Sequence, residues 1–243
     1  MATPPPATTP FSTALVTGAN RGLGLEFVRQ LLAAGSHVVA TAREPGKANA
    51  LNGLVAEHPG RLHVLPLDVA EARSRAELVR ELPLVIGEAG RIDLLLLNAG
   101  VLHAGERFGH LDQAQLEHSV RTNAIGPLLL TQALAPWLAE GARVVAMSSR
   151  LGSMACTTRF GTPGYAISKA ALNMVVAQLV HALEPQRAVV VAVSPGWART
   201  DMGGPDADVD PVQAVAGLLR EAAGLDNGDS GRFFDWKGEA VPW

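Results

Sequence analysis

A chain of 243 residues, about half of them apolar, can bury one large core or two small ones, and nothing in the composition forces a split. The formal net charge of −3, with scattered basic residues, gives no general attraction for nucleic acid or an anionic membrane. Cys156 is alone, which excludes an intrachain disulfide and a cysteine-rich metal site and fits a reducing cytoplasm, although other compartments would fit too.

Residues 1–10 lack the cationic and apolar regions of a signal peptide and read as a flexible tail. The remainder, 11–243, reads as one domain. Apolar runs rich in Val and Leu predict strands at Ala14–Thr17, His37–Thr41, Leu62–Leu67, Ile92–Leu97, Arg143–Met147 and Val189–Val193, with a last one near Arg232–Phe234. Between them, helical composition covers Leu23–Ala34, Lys47–Glu57, Glu71–Glu88, Leu111–Glu140 with a break near Asn123–Pro127, Tyr165–Leu183 and Pro211–Ala223. Most of the strands show no polar alternation, as expected when both faces are buried. Strand and helix taking turns implies an α/β fold: a single doubly wound domain, with a central parallel sheet of about seven strands and helices on both faces. The longest apolar stretches fall short of a membrane span, and a cytoplasmic protein is the expectation.

In such a fold ligands bind beyond the carboxyl ends of the strands. After the first strand come Gly18, Asn20, Arg21, Gly22, Leu23 and Gly24, a glycine-rich turn directly before a helix. There the backbone can approach a pyrophosphate, with the helix amino end facing its charge. The second strand ends in Ala42 and Arg43 where NAD sites commonly place an acidic residue. Arg43, with Arg21, therefore favours NADP(H) over NAD(H) through the 2′-phosphate; the alternative is that both arginines are solvated surface residues. Asp68, followed by Val69, closes the third strand as an acceptor for the adenine amino group or as a helix N-cap. Asn98, Ala99 and Gly100 close the fourth, small enough for a backbone running close to a cofactor and equally suited to a sharp turn.

The fifth strand ends at Ser148 and Ser149, and a further helix follows. Tyr165, the only tyrosine in the chain, stands four positions before Lys169, one of three lysines. On a helix this spacing puts a phenol and an ammonium on one face. A phenol ordinarily titrates near pH ~10, so acid–base work near neutrality needs something such as a cation to favour its anion. The bland alternative is a half-buried aromatic with a surface lysine one turn on.

The ordered set Thr17-Gly-x3-Gly-x-Gly24, Asn98-Ala-Gly100, Asn123, Ser148-Ser149, Tyr165-x3-Lys169 and Ser194-Pro-Gly196 resembles the short-chain dehydrogenase/reductase family, over nearly the whole chain after residue 10. The resemblance implies a Rossmann-type fold and an NADP(H)-dependent enzyme interconverting a carbonyl and an alcohol. It implies that Tyr165 is the general acid/base and that Lys169 lowers its pKa and binds the nicotinamide ribose. Ser149 would bind the substrate oxygen, and Asn123 would support a water-linked proton relay. Pro195, Gly196, Trp197 and Thr200 would lie beside the nicotinamide. Motif ends such as Pro195-Gly-Trp-Ala-Arg-Thr200 and the tail Gly231–Trp243 are similar to the subgroup of C-factor and sniffer-type carbonyl reductases.

Two departures stand out. Ser149 precedes Tyr165 by sixteen positions, longer than the family's usual interval, so Ser148 and Ser153 stay open as holders of the substrate contact. Leu97 replaces the family's usual first Asn before Asn98. Loops over 101–108, 150–163 and 197–211 would select the substrate, a small carbonyl or alcohol. Leu102, His103, Leu151, Phe160, Trp197 and Met202 either line an apolar pocket there or simply pack. No metal site is expected, since no second ligand stands near His103 at a useful spacing. Trp236 and Trp243 read as closing the last strand or a subunit contact. A homodimer or homotetramer is implied by resemblance alone. The alternative to an enzyme is a cofactor-binding signalling or sensor protein of the same fold with little turnover.

Overall fold

Valine- and leucine-rich runs pair side by side in the computed structural model, which describes residues 11–243; the expected tail over 1–10 lies outside the described residues. The strands are β1 (Thr13–Val16), β2 (His37–Ala42), β3 (Leu62–Pro66), β4 (Ile92–Leu97), β5 (Leu138–Met147), β6 (Val189–Ser194) and β7 (Phe233–Asp235). They form one sheet in the order β3-β2-β1-β4-β5-β6-β7, every neighbouring pair parallel. Between them run α1 (Gly22–Ala33), α2 (Asn49–Glu57), α3 (Ala72–Ile86), α4 (Gln113–Val120), α5 (Gly126–Leu134), α6 (Pro163–Ala182) and α7 (Pro211–Gly224).

Parallel neighbours need crossovers, and the crossover helices cover both faces of the sheet. Phe27 of α1, Leu51 of α2 and Leu218 of α7 belong to one buried cluster; Leu78 of α3, Leu130 of α5 and Leu172 of α6 belong to the other. Successive residues of one strand go to opposite clusters: Leu94 and Leu96 of β4 to the first, Leu95 and Leu97 to the second. Two-sided burial is thus the reason the strands read as unbroken apolar runs. Each such leucine contributes about 1.5–3 kcal/mol relative to an exposed one.

The expected helix over 111–140 is corrected by the structure. Regular helix stops at Val120, a π turn runs over Arg121–Ile125, and α5 resumes at Gly126. This interruption falls where the sequence placed a break. The chain then leaves the helix after Leu134 through a short turn containing Pro136, and Leu138 already pairs with Ile92 as the first residue of β5. Proline lacks the N–H that would continue the helical ladder, and Gly141 takes a φ of 71° before the main part of the strand. At the other end the Trp243 ring lies against Phe233 of β7, with centroids 5.3 Å apart and the planes tilted by 37°.

The sheet runs outward from β1 to β3 and then returns past β1 to β4. That reversal opens a crevice at the carboxyl ends of β1 and β4, where ligands of open α/β sheets bind. None of the described helices is long and apolar enough to cross a membrane.

Candidate active site

Thr17, at the end of β1, organises the floor of the crevice. Its hydroxyl donates to the Leu96 carbonyl at 3.2 Å and accepts from the Asn98 and Ala99 amides at 2.9 and 3.0 Å. The Asn98 side chain returns the contact, donating to the carbonyls of Thr17 and Gly18 at 2.9 and 3.1 Å. Gly18 and Gly22 take φ values of 64° and 55°, in the left-handed region that favours glycine. A side chain at Gly24 would overlap the Gly18 carbonyl oxygen and the Asn98 amide. The start of α1 has no side-chain cap and no acid in its first turn, so its amide dipoles face the crevice without a competing charge.

The second group of site residues comes from β5 and α6. Pro163 begins α6, so Tyr165 lies in the first turn and Lys169 one turn further on the same face. Lys169 is buried, and its Nζ donates to the Met147 carbonyl at 2.6 Å, 5.4 Å from the centre of the Tyr165 ring. Burial pushes the Tyr165 phenol up to about 12, and a hydrogen bond from Ser149 draws it part of the way back. Burial also pushes the Lys169 ammonium down to about 8. Desolvation therefore drives both groups toward their neutral forms, and the lysine alone does not bring the phenol below its ordinary range.

Of the three candidate serines, only Ser149 acts on the Tyr165 phenol, drawing its titration down. Ser148 donates to the Asn173 side chain at 2.6 Å, and Ser153 accepts from the Cys156 amide at 3.1 Å. Ser149 opens the short turn Arg150–Gly152, accepting from the Leu151 amide at 3.1 Å. Asn123 sits buried in the π turn. It clasps the backbone of Val101 through both its amide and its carbonyl at 2.8 Å, and donates to Ser168 at 2.8 Å. Ser168 passes the link on, donating to the Tyr165 carbonyl at 2.7 Å. A Cβ at Gly100 would lie 3.3 Å from Asn123 Oδ1 and 3.6 Å from Lys169 Nζ, so the loop after β4 reaches this cluster as well.

The remaining expected residues divide. Thr200 packs its methyl beside Gly22, which brings the segment after Pro195 and Gly196 to the glycine turn. Asp201 then pairs with Arg21 at 3.3 Å, both side chains well exposed. Arg43 stands exposed at the end of β2 and makes no ion pair among the described residues. Asp68 does not cap α3, whose N-cap is Glu71; it accepts from the Ala70 amide at 2.9 Å. The Val69 carbonyl accepts from the buried Arg75 at 2.7 Å.

Among the candidate substrate contacts, Trp197 donates to the Gly203 carbonyl at 2.8 Å and Met202 is exposed. Leu151 and Phe160 share an apolar hollow of about 400 Å³ with Met154 and Ile167, whose lining includes neither Tyr165 nor Ser149. The fold also gives His103 a partner that sequence spacing hides: His118 Nδ1, 3.0 Å from its Nε2, with no third metal-ligating side chain beside them among the described residues. Sequence reasoning did not single out Ser168 or Asn173. Both lie on the inward face of α6 at helical spacing from Tyr165 and Lys169, which is the signal that could have found them.

A model of the short chain dehydrogenase family matches residues 12–209. The C-signal protein of Myxococcus xanthus is 45% identical over 156 residues, covering 63% of this chain and 94% of that protein. Among solved structures, the NADPH-bound carbonyl reductase from chicken fatty liver superposes with a TM-score of 0.90 at 33% identity, over 95% of this chain and 98% of that one. The carbonyl reductase Sniffer of D. melanogaster also gives 0.90, at 30% identity over 96% and 99% of the two chains.

Because Tyr165 is the only tyrosine, tyrosinate absorbance reports on this site alone. In the cofactor-free protein the phenol is expected to titrate near about 12, with Ser149→Ala moving the midpoint higher. A midpoint at the ordinary value near ~10 would contradict the burial argument.

Proposed function

The chain belongs to the short-chain dehydrogenase/reductase family, and from that premise we propose that it is an NADP(H)-dependent oxidoreductase interconverting a carbonyl and an alcohol. The observation that carries this reading is the meeting of Ser149, Tyr165 and Lys169 at the end of β5, next to a crevice whose floor is a glycine turn.

The residues present suit a nicotinamide dinucleotide. Glycine at 18 and 22 permits the turn, and the uncapped start of α1 offers amides to a pyrophosphate. Arg43 follows Ala42 with no acid to hold a ribose 2′-hydroxyl, which favours a 2′-phosphate; the NADPH bound by the similar chicken reductase agrees with that choice. Arg21 would have to exchange Asp201 for the phosphate, so Arg43 is the principal contact. Asn98, Ala99, Gly100, Pro195, Gly196 and Thr200 would border the cofactor. Lys169 would reach its ribose.

When bound, the nicotinamide supplies or accepts the hydride. Everything else falls to the chain. A phenol held near about 12 is protonated at neutral pH and can deliver its proton to a carbonyl oxygen as negative charge builds there. Ser149, the serine that acts on that phenol, would donate to the same oxygen and stabilise the charge. Lys169 would return a proton toward the phenol through a relay, which Asn123 supports by holding the β4 loop against the first turn of α6. For alcohol oxidation the steps reverse, with Tyr165 accepting the proton.

Tyr165→Phe should keep NADPH affinity within about twofold and lose turnover of carbonyl substrates by about a hundredfold or more, in binding titrations and steady-state rates. Unchanged turnover would remove the assigned role. NADPH binding with no turnover of a broad carbonyl and alcohol panel by the unmodified protein would favour the sensor reading instead. Arg43→Ala should raise the Kd for NADPH about tenfold or more, in line with the loss of a charge-assisted contact, and leave NADH nearly unchanged. Equal weakening of both would take Arg43 out of the 2′-phosphate site.

A further inference from the structure

The helix that carries Tyr165 begins in an unusual way. Its N-cap, Thr162, lies in the left-handed region at φ 41° and ψ 54° and makes no side-chain cap; Pro163 has no N–H, and the first turn contains no acid. The first amide of α6 is therefore Gly164 N–H, and the residues around it in sequence do not satisfy it. The acceptor comes from 58 positions earlier. Both carboxylate oxygens of Glu106, in the loop after β4, lie on this one amide at 3.0 and 3.2 Å. The fit is close: a Cβ at Gly164 would push the Glu106 carboxylate aside and come within 3.1 Å of Leu116.

The same loop is fastened at two other points. Asn123 holds its root at Val101, and the Phe108 ring meets Phe160 edge-on, with centroids 5.7 Å apart, although Phe108 is otherwise 83% exposed. That contact brings the loop after β4 against the segment that leads into α6. Since Gly164 directly precedes Tyr165, a shift of this first turn moves the phenol's own backbone.

We propose that Glu106 is a positioning residue for Tyr165. Its carboxylate closes the amino end of α6 and locks the 101–110 wall of the cleft to the turn that presents the phenol. This rests on the reading of Tyr165 as the proton donor. A carboxylate suits the place, because the amino end of a helix carries partial positive charge and the first amides need acceptors. Displacing a reacting group by a fraction of an ångström lowers a rate steeply, so loss of the contact should show in turnover more than in cofactor binding.

The experiment compares Glu106→Ala, Glu106→Gln and Tyr165→Phe in the full chain, with kcat expressed per NADPH-binding site. That normalisation separates positioning from folding, since a merely structural role would lower the number of binding sites and leave the rate per site alone. Glu106→Ala should lose about tenfold in kcat per site and raise the carbonyl KM, with the NADPH Kd within about twofold of the parent. Glu106→Gln keeps an acceptor for the Gly164 amide and should recover to within about threefold. Gly164→Ala displaces the carboxylate from the helix side and should reproduce the Glu106→Ala defect, which supplies the test should Glu106→Ala fail to fold. Parental kcat per site in Glu106→Ala or in Gly164→Ala, or Glu106→Gln as impaired as Glu106→Ala, would overturn the proposal. Those results beside an inactive Tyr165→Phe would overturn it alone; an active Tyr165→Phe would overturn the underlying reading.

Discussion

The hydrogen bond from the buried Lys169 ammonium to the Met147 carbonyl ties the end of β5 to α6. It does so at the point where the sheet stops and polar chemistry begins. Burying an ammonium is costly unless it is paired, and here a main-chain carbonyl and a neighbouring aromatic ring share that task. The result is a lysine pushed down to about 8 beside a phenol pushed up to about 12. The phenol therefore keeps its proton while the lysine holds its own more loosely, in a place from which water is largely removed.

Around this pair the loops are laced by side chains acting on backbone. Thr17 and Asn98 bind the glycine turn to the end of β4, Asn123 binds the loop after β4 to α6, and Glu106 reaches the helix start from the same loop. Each of these bonds joins segments far apart in sequence. The crevice is therefore defined by the sheet order, which brings β1 and β4 together, and is then made rigid by a few polar residues at the strand ends. Two-sided apolar burial elsewhere leaves those ends as the main place where such residues can sit.

The sheet was legible in the sequence because strands buried on both faces read as Val- and Leu-rich runs, and the glycine spacing showed where the first crossover begins. The break near Asn123 was visible too. What the runs could not show was the start of β5: Leu138–Glu140 continues the apparent helical pattern, and only pairing with β4 makes it strand. Tyr165, Lys169 and Ser149 came from spacing and family order, and the structure brings the three together. Ser148 and Ser153 were separated from Ser149 only by their partners, the Asn173 side chain for Ser148 and, for Ser153, the Cys156 amide together with the distant Trp243 carbonyl. Glu106 carried no local signal at all, since the amide it satisfies is 58 residues away. His103 and His118 meet for the same reason of topology.

The central claim is that Tyr165 is the group whose proton moves. The most direct test is tyrosinate absorbance of the protein saturated with NADP⁺, compared with the free chain. The positive nicotinamide and a ribose-anchored Lys169 should draw the single phenol down from about 12 by at least about two units. A midpoint unmoved by the cofactor would contradict the account.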